Sequence, residues 1–421
     1  MSSIKTSTNP HLNNSSSFDV ERVRRDFPIL SREVHGKPLV YLDNGASSQK
    51  PRVVVESVRD AYESYYSNVH RGAHYLSQRS TDSYEEARET VARFINAPSE
   101  KNIIFTSSVT ESINLVAATW GKKFLKAGDE VILSEMEHHA NIVPWHMLRE
   151  ECGIKLMFVP VTDAGDFQLN KFEQLLNANT RLIAITECSN VLGTMVPIKR
   201  LVEIAHSRGV PVLVDGAQGV VHHSVDVQAL DCDFYGFTGH KLYGPSGIGV
   251  LYGKTEILES MPPYQGGGDM IEHVTLDHVT YNKPPYRFEA GTPPIVQAIG
   301  LSAAIKYVER LGMESIFNHE QDILGYANQQ LTEVEGLQIF GTSENKAAIM
   351  SFIVHGLHSF DLAAILDREG IATRVGQHCA EPLMDRFGVE GMVRASFGLY
   401  NRRKDVDSLV FAIEKAKGML L

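Results

Sequence analysis

Short apolar runs alternate with amphipathic stretches through most of the first 250 residues. The runs predict strands at Asn102–Thr106, Glu130–Ser134, Lys155–Pro160, Arg181–Thr186, Val210–Asp215, Asp233–Thr238 and Gly247–Tyr252. Helical periodicity fills the gaps, as at Ser83–Ile95, Glu111–Phe124 and Ile198–Arg208. Strand, helix, strand at this spacing predicts an α/β protein with a largely parallel sheet. From Met261 to Pro294 the pattern stops, and Pro262-Pro263, Gly266-Gly267-Gly268, Pro284-Pro285 and Pro293-Pro294 read as loop chemistry at a domain boundary. Beyond it, helices near Val296–Leu311 and Glu314–Glu333 precede strands near Gln338–Phe340 and Ala348–Val354. A helix at Ser359–Glu369, a loop and a last helix at Lys404–Leu420 complete a smaller α+β domain. The segment Phe18–Leu30 is expected to pack on it.

Composition narrows the class. The chain has 421 residues, 43% of them hydrophobic, which supports a large core and excludes a mainly disordered chain. The formal charge of −11, without a basic block, argues against nucleic-acid binding. Cys152, Cys188, Cys232 and Cys379 form no C-x-x-C pair, and four cysteines in this length suggest a reducing compartment. No apolar run is long enough to span a bilayer. Residues 1–17 are rich in Ser, Asn and Thr, lack the apolar core of a secretory signal and contain no arginine. They read as a disordered tail on a cytoplasmic protein.

In open α/β sheets ligands bind beyond the carboxyl ends of the strands, so the residues after each strand are the candidates. Ser107-Ser108-Val109-Thr110-Glu111 opens a helix and suits either a phosphate or an ordinary helix cap. His138 and His139 follow the second strand, but without metal-ligand spacing, so one functional imidazole or two solvated rings is the better reading. Asn190 and Gly193 follow the fourth strand and suit a turn or a site. Val210–Asp215 ends an apolar strand on a carboxylate, which needs a cationic partner. Lys241, in Gly239-His240-Lys241-Leu242-Tyr243-Gly244-Pro245, stands at the mouth of the same sheet, as a desolvated nucleophile or a surface lysine. A phosphate-type turn, an imidazole, an acid and a lysine on one sheet edge are what pyridoxal 5'-phosphate requires.

At these residues the chain resembles the group II cysteine desulfurases of the SufS/CsdA kind, class V aminotransferase-like proteins of fold type I. The resemblance runs from about Val20 to Met419. It is carried by Asn68-Val69-His70-Arg71-Gly72, Glu137-His138-His139-Ala140-Asn141, Asp215-Gly216-Ala217-Gln218, the Lys241 motif, Glu289-Ala290-Gly291-Thr292-Pro293, Arg374-Val375-Gly376-Gln377-His378-Cys379-Ala380 and Arg394-Ala395-Ser396-Phe397. The last two motifs look closer to CsdA than to SufS.

The resemblance implies a large domain over 35–290 with a mainly parallel seven-stranded sheet that binds the cofactor. It implies a small domain over 291–421 carrying the cysteine loop, with 18–34 packed on it. Lys241 is then the Schiff-base lysine, Asp215 faces the pyridine nitrogen, Gln218 the phenolic oxygen, and His138 stacks on the ring and moves protons. Thr110, Thr238 and His240 hold the phosphate, with Thr292 supplied by the other subunit of a homodimer. Asn190 lies near ring and substrate, Arg394 clamps the substrate carboxylate, and Arg374, His70 and Arg71 line the entrance. Cys379, in a loop with Arg374 nearby, is the sulfur acceptor, and the other three cysteines are structural. The implied reaction converts L-cysteine to L-alanine, leaving a persulfide on Cys379 for an acceptor protein of the SufE/CsdE kind and for iron–sulfur or other sulfur-cofactor assembly. A selenocysteine lyase, an aminotransferase and a non-enzymatic persulfide carrier are the rivals, and no metal is expected. The chain departs from the pattern at Ser107-Ser108, where relatives commonly carry a glycine, at Thr238 in place of serine, and at Asp269 near the entrance.

Overall fold

The computed structural model describes residues 18–421, so the predicted tail lies outside the described residues. Seven strands form the large sheet: β1 (Ile103–Thr106), β2 (Glu130–Ser134), β3 (Lys155–Val159), β4 (Thr180–Thr186), β5 (Val212–Asp215), β6 (Phe234–Thr238) and β7 (Gly249–Gly253). Their order is β1-β7-β6-β5-β4-β2-β3, and only β7 runs antiparallel to its neighbours. Nearly every residue of β1, β2 and β4 to β7 is buried, as expected of a sheet covered on both faces. The register pairs Thr186 with Asp215 and Asp215 with Gly236, so β4 and β5 finish side by side and β6 runs two residues further, to Thr238.

The helix predicted at Glu111–Phe124 begins earlier, at Val109, because the Ser108 hydroxyl accepts the Glu111 N–H at 3.2 Å and caps it. It then widens into a π turn over Ala117–Gly121. The helix predicted from Ser83 begins at Tyr75. Its first two turns are mostly polar and carry little apolar periodicity, but His74 caps them by accepting the Ser77 N–H at 3.3 Å.

The stretch read as loop between Met261 and Pro294 contains a hairpin, Ile271–Val274 with Val279–Tyr281, whose mostly exposed residues left no apolar signal. Likewise the loop expected after residue 369 is largely ordered structure. Ile371–Ala372 pairs with Val40–Tyr41, and a helix covers Glu381–Phe387. This stretch also supplies half of a second, antiparallel sheet. That sheet holds β8 (Leu337–Phe340), β9 (Ile349–Val354), β10 (Arg374–Gly376) and β11 (Met392–Ser396), in the order β8-β9-β11-β10. The pattern carries no signal for these strands because β10 is three residues long and held only by β11, while β11 depends on β9 about 45 residues earlier.

The helix Ile295–Leu311 packs on helices Arg52–Asp60 and Tyr75–Phe94 and shares the apolar core of the large sheet. The second core is built on Leu324, Ala327, Phe352, Val393 and Leu409. One buried ion pair ties elements together beneath the large sheet. Arg88, 1% exposed, reaches Glu289 at 2.6 and 2.9 Å, and Glu289 also accepts the Phe105 N–H at 2.7 Å.

Candidate active site

The carboxyl ends of the parallel strands open into a cavity of about 240 Å³, closed on its far side by the small sheet and the Cys379 loop. Thr110, His138, Asn190, Asp215, Gln218, Thr238, His240, Lys241, Arg374, Cys379 and Arg394 all line it. Thr292, His70 and Arg71 do not. Thr292 lies in a neighbouring concavity with Ser107 and Glu111, and His70 and Arg71 line a third with Asp269. Asp269 is bound there to Arg71 at 2.9 Å, so that departure from the family pattern sits outside the Lys241 cavity.

Each wall of the cavity has its own electrostatics. Asp215 is buried at the end of β5, and its carboxylate accepts only the Ala217 N–H, at 3.0 Å, among the described residues. Burial raises its pKa, so an unpaired cation beside it would be strongly favoured. Lys241 follows β6. Burial lowers its pKa to about 8, with Asp215 opposing and Arg394 adding to the fall. Its ammonium is therefore easily converted to a nucleophilic amine. His138 is pushed down to about 3 by burial and by Lys241, so its ring is neutral. Its Nδ1 accepts the Ala140 N–H at 3.0 Å, which leaves the ring proton on Nε2. Glu137, beside it, is buried and accepts from Ser134 Oγ, Asn141 Nδ2 and the Thr186 N–H. Burial lifts Glu137 to about 7.

Arg394 projects from β11, 2% exposed. Its Nη1 donates to the Asn190 carbonyl at 2.8 Å, while its Nε is buried and has no partner among the described residues. Nη2 faces Asp43 Oδ1 at 3.4 Å, and the residue lines the cavity. Arg374, on β10, is held by Asp43 in a two-pronged pair, with Nη2 at 2.7 Å from Oδ2.

The cysteine loop is fixed by backbone contacts across the cavity. His139 N–H donates to the Cys379 carbonyl at 2.7 Å, and Asn190 Nδ2 to the His378 carbonyl at 2.8 Å. The His378 ring bonds the Met392 carbonyl at 3.0 Å. These contacts hold His378 and Cys379 at φ of 54° and 57°, a left-handed pair costing on the order of 1 kcal/mol each. Cys379 is exposed, unlike buried Cys188 and Cys232.

The Ser107-Ser108 departure is accommodated on the facing strand. Ser108 is extended, at φ −170°, and needs no glycine. Gly249 supplies the room, since a Cβ there would stand 2.3 Å from the Ser108 carbonyl carbon.

The residues fit pyridoxal 5'-phosphate. A buried acid with spare acceptor capacity, a lysine of lowered pKa, a neutral imidazole and hydroxyls at a helix N-terminus surround one cavity. Sequence reading missed Asp43 and gave no role to Glu137 and His378 within the motifs that contain them. Asp43 had a signal, a polar Asp-Asn-Gly turn directly after the short strand that pairs with Ile371–Ala372, but its arginine partners lie more than 300 residues away.

Fold and cavity together define an α/β protein with a buried lysine of lowered pKa at the rim of its large sheet. Residues 40–409 match the family described as Aminotransferase class-V. The cysteine desulfurase of Serratia proteamaculans is 50% identical over 405 residues, covering 96% of this chain and 100% of that protein. The cysteine desulfurase of Synechococcus elongatus is 48% identical over 98% of this chain, which spans 66% of that relative's length. The crystal structure of the cysteine desulfurase CsdA (S-sulfonic acid) from Escherichia coli superposes with a TM-score of 0.90 at 40% identity, covering 96% of this chain and 100% of that one. The chain belongs to the class-V aminotransferase family, among the cysteine desulfurases.

Proposed function

We propose that this chain is a pyridoxal 5'-phosphate-dependent cysteine desulfurase that converts L-cysteine to L-alanine and passes the sulfur through a persulfide on Cys379. The observation that carries the reading is the convergence of Lys241, Asp215, Arg394 and Cys379 on one cavity, from elements scattered over the whole chain.

In this reading Lys241 holds the cofactor covalently, Asp215 its ring nitrogen and Gln218 its phenolic oxygen, while His138 covers the ring. Thr110, Thr238 and His240 hold the phosphate, joined by Thr292 of a second copy in a homodimer. Bound there, the cofactor supplies an electron sink for charge developing at the substrate's α-carbon. Arg394 holds the substrate carboxylate, and Asn190 and Arg374 border it. Lys241, once freed as an amine, is the group that moves the α-proton. Cys379 attacks the substrate sulfur as a thiolate. An S–S bond forms as the C–S bond breaks, and the carbon side takes up protons and leaves as alanine. The rigid seat of the cysteine loop meets the orientation demand of that displacement.

Cys379 is exposed, which suits onward transfer of the sulfur to an acceptor protein for iron–sulfur or other sulfur-cofactor assembly. The four free thiols suit a reducing, cytoplasmic setting. Among the described residues no helix is long and apolar enough to cross a membrane.

The test is alanine released from L-cysteine in the presence of a reductant, for wild type and Cys379→Ala together. Wild type is expected to release alanine and the variant to lose at least about a hundredfold of the rate. Equal rates would remove Cys379 from the reaction. A yellow protein silent on cysteine but active on selenocysteine would move the assignment to a lyase.

A further inference from the structure

The sheet rim behind Asp215 carries a second buried carboxylate that the proposed reaction does not use. Glu187 follows β4, and its N–H donates to the Asp215 carbonyl at 2.9 Å. The residue is 3% exposed. Two glycines make its seat: a Cβ at Gly219 would stand 1.9 Å from Glu187 Oε2, and one at Gly216 would stand 2.1 Å from Tyr235 Oη. The Tyr235 hydroxyl donates to Glu187 Oε2 at 2.5 Å. Glu187 Oε1 faces His223 Nε2 at 3.3 Å. The other ring nitrogen, Nδ1, lies 2.9 Å from the Ser224 carbonyl. Nε2 forms no hydrogen bond in this arrangement, so its approach to Glu187 is a charge–charge contact, favourable when the imidazole carries its second proton. Burial opposes that charge, but the Glu187 carboxylate outweighs it and raises the histidine's pKa. The His223 side chain is 29% exposed, so this end of the pair reaches water, whereas Asp215 opens into the Lys241 cavity.

We propose that His223 and Glu187 form an ion pair that sets the charge behind Asp215, which makes both of them positioning residues for the acid that holds the cofactor's ring nitrogen. The proposal rests on the cofactor reading above. A lone carboxylate beside Asp215 disfavours a second negative charge there and draws a proton onto Asp215 or onto the ring nitrogen it faces. The imidazolium of His223 cancels that effect. The other titratable groups facing Glu187 are Tyr235, Asp215, Cys188 and Cys232, and burial holds the hydroxyl and both thiols protonated. Among the described residues, His223 meets no charged group other than Glu187.

The experiment titrates the visible absorption band of the protein loaded with pyridoxal 5'-phosphate, wild type against His223→Gln. A parallel NMR titration follows the His223 ring in wild type and in Glu187→Gln. Removing the cation is expected to raise the midpoint of the band by at least about half a pH unit. Removing the carboxylate is expected to lower the His223 midpoint. Because His223 is half-exposed, its variant is expected to fold even if Glu187→Gln does not, and the band titration then decides alone. A band with the same midpoint in wild type and His223→Gln overturns the proposal and leaves the cofactor reading standing. A protein that develops no band at all overturns both.

Discussion

Lys241 is a nucleophile only as the free amine, and its surroundings set how much of it is free. Burial brings its pKa to about 8, against Asp215, which holds the proton on. Below that value the ammonium dominates, and above it the amine does. The rate at which cofactor-free protein takes up pyridoxal 5'-phosphate should therefore climb between about pH 7 and 9, with its midpoint near 8, and level off beyond. Stopped-flow absorbance checks this, and a flat profile would show that the ammonium is not what limits loading. Lys241→Ala should form no covalent adduct at any pH. His138 differs from an ordinary histidine in the opposite sense. Held near 3, it has no charge to lose across the same window, so it adds no step of its own to that profile.

At the scale of elements, the site depends on where strands and helices stop. β5 delivers Asp215 with its last residue, and β6 ends three residues before Lys241. The helix beginning at Val109 owes its start to the Ser108 cap, and that start places Thr110 at the cavity. The segment before Thr292 is anchored by Glu289, which bonds both Arg88 and the Phe105 N–H of β1. Replacing Arg88 with methionine would strand a buried carboxylate. It should cost about 3–5 kcal/mol of stability, read from denaturant unfolding. A loss under about 1 kcal/mol would mean that Glu289 finds protons or water instead. The Arg88–Glu289 pairing could not be read from the sequence. Two hundred residues separate the partners, so no local pattern links them.

At the scale of the whole molecule, one chain gathers most of the proposed site but not all of it. Thr292, His70 and Arg71 face concavities of their own, and Thr292 is exposed beside Ser107 and Glu111. A homodimer that brings the second copy's Thr292 to the phosphate would explain this placement. Light scattering of the loaded protein should then give twice the 46.7 kDa chain mass, and Thr292→Val should weaken cofactor retention without lowering that mass. A monomer that keeps its cofactor on dilution would remove Thr292 from the site.

The sequence by itself determined the large sheet, because its strands are continuous apolar runs and that signal is local. It also pointed to Asp215 and Lys241, since a carboxylate and a lysine at the ends of such runs mark the rim where ligands bind. Tertiary structure alone decided the rest. β11 is fixed by pairing with β9 about 45 residues earlier, and β10 is an edge strand held by β11 alone, so their short, partly polar runs are not legible without those partners. The same long-range pairing brings Asp43 to Arg374 and Arg394, and the Cys379 loop to His139 and Asn190. Residue type can mark a nucleophile. Only the fold fixes which charges and hydrogen bonds surround it, and those decide its proton and its direction.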